Sequence, residues 1–148
     1  LRTRVEMVDP QRLFSFLERT LPFYSFDLLV HVLTDPYLSL LESLPAAAKE
    51  ASRVFLDGEK RALNDAAARR LRRSGFRSVS YVDGLHAKLV AIGRPPEYRY
   101  IVVGSSNLTQ RSFDNYEVVL VIEAPDAELS RDVAEFVAAV ERASYPAP

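Results

Sequence analysis

Apolar residues recur at helical spacing from Leu13 through Phe14 and Leu17 to Leu21, preceded by Asp9-Pro10 and followed by Pro22. A capping aspartate, a proline at the first helical position and a second proline as terminator predict a helix there. Residues 26–33 form a nearly unbroken apolar run, which predicts a strand covered on both faces; Asp35-Pro36 then opens a helix that Pro45 divides or ends. A short strand over 53–56 closes at Asp57-Gly58, after which Leu63, Ala66, Ala67 and Leu71 mark one face of a helix capped by Gly75. Residues 78–82, 85–92 and 100–103 read as three successive strands and 117–123 as a fourth. A last helix starts at the cap Asp126 and carries Leu129, Val133, Phe136, Val137 and Val140 on one face. Strand–helix alternation followed by clustered strands predicts an α/β fold, a mixed β-sheet flanked by α-helices on both faces.

At 148 residues, 48% apolar and 26% charged, the chain fits one domain spanning 1–148. Leu1 in place of an initiator methionine, and the ending Tyr145-Pro146-Ala147-Pro148, suit a domain cut from something longer. No apolar run approaches the roughly 18 residues that span a bilayer, and no signal-peptide pattern opens the chain, so a cytoplasmic protein without stable membrane association is expected. Zero cysteines exclude a disulfide framework, a thiolate zinc site and a cysteine nucleophile, and two histidines, His31 and His86, argue against a histidine-rich metal centre. His31, inside an apolar strand with no nameable partner, reads as structural. The five glycines make neither GxGxxG nor a Walker loop, and none of the three lysines follows an acid at two positions. The net charge of −1 conceals a basic stretch over 60–77, with seven basic residues against Asp65, and an acidic one from Glu117 onward, with seven acids against Arg131 and Arg142. Such polarity could bring one surface to a polyanion; charged helix faces in water explain it equally well.

The chemistry gathers in the window 86–117: His86-Ala87-Lys88, Gly104-Ser105-Ser106-Asn107 and Asn115-Tyr116-Glu117. On a strand, His86 and Lys88 project to the same face, coupling a nucleophile or proton carrier to a fixed positive charge. Gly104 permits close backbone approach, and Ser105 and Asn107 supply neutral donors at the same sheet edge, a set suited to phosphate. These three segments resemble the signature of the phospholipase D superfamily, HxK, GSxN and N-x-E, and the text around them looks most like its nuclease-type, single-motif members. The family's usual aspartate, five residues after the lysine, is Gly93 here, and residues 94–99 make a longer hairpin than the common spacing.

The resemblance implies a metal-independent phosphodiesterase with no cofactor. In it, His86 attacks phosphorus to give a phosphohistidine, Lys88 and Asn107 hold nonbridging oxygens, Ser105 orients the phosphate, and Glu117 fixes the tautomer of His86. A second imidazole must protonate the departing oxygen, so a homodimer with one shared site, or a missing second half, is expected. Nucleic acid is the expected substrate, DNA in preference to RNA. Asn115 would brace the loop near substrate, and Arg94, Tyr98 and Arg99, in or beside the 94–99 hairpin, could hold backbone phosphates and stack on unpaired bases. Arg69, Arg70, Arg72 and Arg73 are a further candidate patch, Arg70 falling close to the apolar stripe of its helix. Phe113 is expected to wedge the loop after the motif against the core. Two other readings stay open: a phospholipid hydrolase or transferase, and a noncatalytic nucleic-acid-binding or dimerisation module.

Overall fold

The computed structural model describes residues 2–148. Eight strands form one mixed sheet, in the order β1-β7-β6-β5-β2-β3-β4-β8. They are β1 (Arg4–Val8), β2 (Phe26–Val30), β3 (Arg53–Asp57), β4 (Ser78–Val82), β5 (Leu89–Arg94), β6 (Glu97–Gly104), β7 (Val119–Glu123) and β8 (Tyr145–Pro146). The helices are α1 (Pro10–Thr20), α2 (Tyr37–Glu42), α3 (Ala46–Ala51), α4 (Arg61–Ser74) and α5 (Ala127–Arg142). Strands β2, β3 and β4 run parallel, as their helical crossovers require, and the remaining neighbours pair antiparallel.

Strand β2 lies in the middle of the sheet and is buried at every position, which is why its sequence is an apolar run rather than an alternation. On one side, Leu13 and Leu17 of α1, Leu41 of α2 and Ala67, Ala68 and Leu71 of α4 pack with Leu28, Val30 and Val54. On the other, Val137 and Val140 of α5 pack with Leu29, Phe55, Ala91 and Ile101. The expected two-sided arrangement is therefore present. Asp9 caps α1 through Arg12 N (2.8 Å) and Asp126 caps α5 through Leu129 N (2.8 Å).

Several elements depart from the sequence reading. Strand β1, at the sheet edge against β7, carries an alternation of only five residues, four of them exposed, and β8 is two residues long; neither offers a periodic signal. Helix α4 turns Asn64, not Leu63 or Ala66, to the core: Leu63 is 58% exposed, because Asn64 is spent on the backbone at the ends of β2 and β3. On α5, Phe136 lies outside the buried stripe. The segment 85–88 is not a strand. The β2–β5 ladder stops at the pair Leu29–Leu89, and before it the chain is tied to β6 by the bond from Gly104 N to Lys88 O (3.3 Å). Among the described residues no helix is long and apolar enough to cross a membrane.

Candidate active site

The carboxyl ends of β2, β3 and β4 meet the start of β5, the end of β6 and the start of β7 at one edge of the sheet. In open α/β sheets this is the edge where loops gather around ligands. Register brings the three motif segments together there. Lys88 lies beside Gly104 across β5 and β6, and Gly104 pairs with Val119 across β6 and β7. A Cβ on Gly104 would fall 2.1 Å from Val118 O, so only glycine lets β7 approach this closely. The close approach anticipated at Gly104 is thus made by the protein's own backbone.

His86 is exposed and Lys88 half-buried, with Lys88 Nζ donating to His86 O (3.3 Å). Both sit in the non-strand segment before β5, so the same-face argument from strand geometry does not apply. Ser105 Oγ donates to Glu117 Oε2 (2.5 Å) and accepts from Val118 N (3.1 Å). Asn115 Nδ2 donates to Glu117 Oε1 at 3.5 Å. The carboxylate of Glu117 is thus held by Ser105 and Asn115, and the expected contact between Glu117 and His86 is not among the ion pairs of the described residues. The Asn107 carbonyl accepts from Ser106 Oγ (3.0 Å) and Ser112 Oγ (2.5 Å), which fixes this loop, while Asn107 Oδ1 is buried without a hydrogen-bond partner. Phe113 stacks on Tyr37 with ring centroids 5.8 Å apart and leans on Phe14, the wedge expected of it.

His31 lies just past the end of β2 and has the partners that the sequence did not name. Its Nδ1 lies 2.8 Å from Asp57 Oδ2, and its ring centroid is 4.5 Å from that of His86. The signal lay in parallel register: Val30 pairs with Leu56, so the next residues, His31 just past β2 and Asp57 at the end of β3, stand side by side. In the sequence Asp57-Gly58 reads as a strand-ending turn, which it also is.

The candidate substrate contacts fare differently. Arg94 is exposed at the far end of β5, roughly 20 Å from Lys88 at a strand rise of about 3.3 Å per residue. Tyr98 is buried, with its hydroxyl near Asp27 Oδ2 (3.5 Å); burial first, and Asp27 second, push that hydroxyl up to about 12, and it cannot stack on a base. Arg99 pairs with Glu123 (3.0 Å) and lies over the Tyr100 ring, stitching β6 to β7. The hairpin is therefore remote from the site and partly structural. In the basic stretch, Arg70 binds Glu42 (2.5 Å) and Asp35 (3.1 Å), and these partners, Glu42 foremost, hold its guanidinium firmly charged. Arg72 donates to the carbonyls of Ala147, Arg77 and Val79, so of the four candidate arginines Arg69, Arg70, Arg72 and Arg73 only Arg69 and Arg73 are exposed.

A cavity of about 390 Å³ lies away from the motif residues, between β1 and α1, lined by Arg4, Glu6, Arg12, Arg19 and Tyr100 among others. Beside the site runs an exposed apolar strip. Met7 of β1 pairs with Leu120 of β7, which pairs with Val103 of β6, so all three share the α5 face; Val5 shares it too. Val5 and Met7 are 61% and 66% exposed, and Val118 and Tyr116 extend the strip to Glu117.

No protein-family model matches the chain, and no curated protein sequence matches it significantly. Solved structures do match. Nuc from Salmonella typhimurium, a phospholipase D family member, superimposes with a TM-score of 0.77 at 17% identity over 97% of both chains. NucT from Helicobacter pylori gives 0.78 at 13% identity, over 97% of this chain and 98% of that one. TrmBL2, an archaeal chromatin protein described as showing a novel mode of DNA binding, gives 0.65 at 12% identity over 95% of this chain and 52% of that one. The fold is that of the phospholipase D family member Nuc, as the three motif segments implied.

Proposed function

We propose that the chain is a phosphodiesterase of the phospholipase D type that cleaves nucleic acid, DNA in preference to RNA, without a metal ion. The observation that carries this reading is the convergence of the HxK, GSxN and N-x-E segments at one sheet edge of a fold shared with two nuclease-named structures. Neutral His86 attacks phosphorus and forms an N–P bond as the P–O bond to the departing oxygen breaks. A second imidazole donates its proton to that oxygen, then takes one from the water that displaces phosphate from His86. Lys88 and the Asn107 amide stabilise charge on the nonbridging oxygens of the transition state. Ser105, anchored to Glu117 and Val118 N, orients the phosphate.

The second imidazole comes from another copy. This is supported by the apolar strip of Val5, Met7, Val103, Val118 and Tyr116 beside it, whose cover would stand at the right edge to complete it. Chelator-treated protein, incubated in parallel with labelled oligonucleotides and with phospholipid vesicles, tests the reading. Oligonucleotide cleavage that disappears in His86→Ala is expected. Lipid turnover alone, or binding without turnover, would replace it by one of the other two readings.

A further inference from the structure

Asp57 is 1% exposed, and its two oxygens are in different circumstances. Oδ1 accepts from Glu59 N (2.9 Å) and Gly84 N (3.1 Å), which aims the carboxylate. Oδ2 is buried without a well-aligned hydrogen bond, although His31 Nδ1 lies 2.8 Å from it and 3.2 Å from Leu85 O; in the tautomer with the proton on Nε2, Nδ1 and Oδ2 face one another as two lone-pair donors. A buried carboxylate oxygen left in this state is costly unless something positive meets it. Around it stand two imidazoles, and one donor atom each of His31, Asp57 and His86 lie within 4.8 Å of one another.

We propose that His31, Asp57 and His86 bind one divalent transition-metal ion of the zinc class, with the fourth position open to solvent. Two imidazole nitrogens and one carboxylate oxygen are a recognised zinc donor set, and imidazole disfavours magnesium and calcium in comparison. Tetrahedral donors around zinc lie about 3.3 Å apart at bond lengths of about 2.0–2.1 Å. Asp57 Oδ2 and His31 Nδ1, 2.8 Å apart, have to part by about 0.5 Å, and since no two of the three donor atoms are more than 4.8 Å apart, the exposed His86 has to close by at most about 1.5 Å. The frame is rigid where it matters. Asn64 Nδ2 donates to His31 O (3.0 Å) and Asp57 O (3.2 Å), tying the two inner ligands to one buried side chain. The ion takes the lone pair that His86 needs for attack on phosphorus, so it inhibits cleavage reversibly. That consequence rests on the proposed function; the binding does not.

The test is a titration of metal-stripped protein, without substrate, by Zn²⁺ calorimetry and by the visible absorption of Co²⁺. One ion per chain is expected, with the intense Co²⁺ bands of a four-coordinate site. His31→Phe, which keeps a ring against His86, and Asp57→Asn, which keeps the Oδ1 acceptor, are each expected to weaken binding at least about tenfold, with circular dichroism confirming that both variants fold. The proposal is overturned by no saturable binding, by wild-type affinity in both variants, or by half an ion per chain insensitive to His31→Phe, which would mean two His86 rings bridging a dimer. Because oligonucleotide cleavage in chelator is measured separately, a failure here leaves the nuclease reading standing, and the reverse also holds.

Discussion

Lys88 and His86 share a short segment whose backbone is fixed at one end by Gly104 and at the other by the turn over Asp83 and Gly84, where Leu85 N meets Val82 O (3.3 Å). Removing the ammonium in Lys88→Ala should lower kcat by about 10²–10³ with a smaller change in KM, since its partner charge develops in the transition state; Asn107→Ala should fall in the same range. Steady-state kinetics on an oligonucleotide substrate checks both, and a pure KM effect would make these residues binding groups only. At this scale the sequence was informative about residue identity and less so about environment. The segment of His86 and Lys88 meets the next motif through Gly104 N and Lys88 O, and Ser105 meets Glu117. His31 was missed because its partner Asp57 is 26 positions away and only the parallel register of β2 on β3 joins them. Tyr98 and Arg99 were misjudged because a residue's engagement with Asp27 or Glu123 is invisible until the strands are laid side by side.

Elements with a strong period or a clear cap were legible, including α1, the fully buried β2, and α5 with its Asp126 cap. Those whose existence depends on a neighbour were not: β1 has four exposed residues of five and is a strand only because β7 offers it an edge. The rotation of α4 is the same lesson in reverse, a polar Asn64 buried because three backbone groups need it. Two predictions belong here. Gly104→Ala pushes a methyl into Val118 O and Val119 Cα, and should cost about 1–3 kcal/mol of stability, read by chemical denaturation. At the start of α2, Asp35 accepts from Ser39 N (2.9 Å) and Ser39 Oγ (2.6 Å); the Ser39 hydroxyl first, and Arg70 second, hold its carboxyl below the usual range. A lowered carboxyl stabilises the fold above its unfolded value, near pH 4, and loses that contribution as pH falls through the folded value. The melting temperature of wild type should therefore exceed that of Asp35→Asn above about pH 4, with the gap closing as pH drops below it.

For the molecule as a whole, the sheet edge formed by β1, β7 and β6 is where assembly and chemistry meet. Met7→Lys sets a charge in the exposed strip without touching the motif residues. Analytical ultracentrifugation should show a dimer for wild type and a shift toward monomer for Met7→Lys, with cleavage lost in proportion to dimer at dilute concentration. Full activity in a monomeric Met7→Lys protein would move the second imidazole into the same chain, where His31 stands 4.5 Å from His86 between ring centroids. Mixing inactive His86→Ala with inactive Lys88→Ala subunits would separate the two arrangements further, but the central claim is chemical. Protein and phosphorus-labelled oligonucleotide, quenched by denaturation in the presence of chelator, should yield a covalent adduct that survives alkali, breaks in acid and maps to the peptide carrying His86. Cleavage that proceeds with no such adduct, or an adduct that persists when His86 is replaced by alanine, would contradict the account.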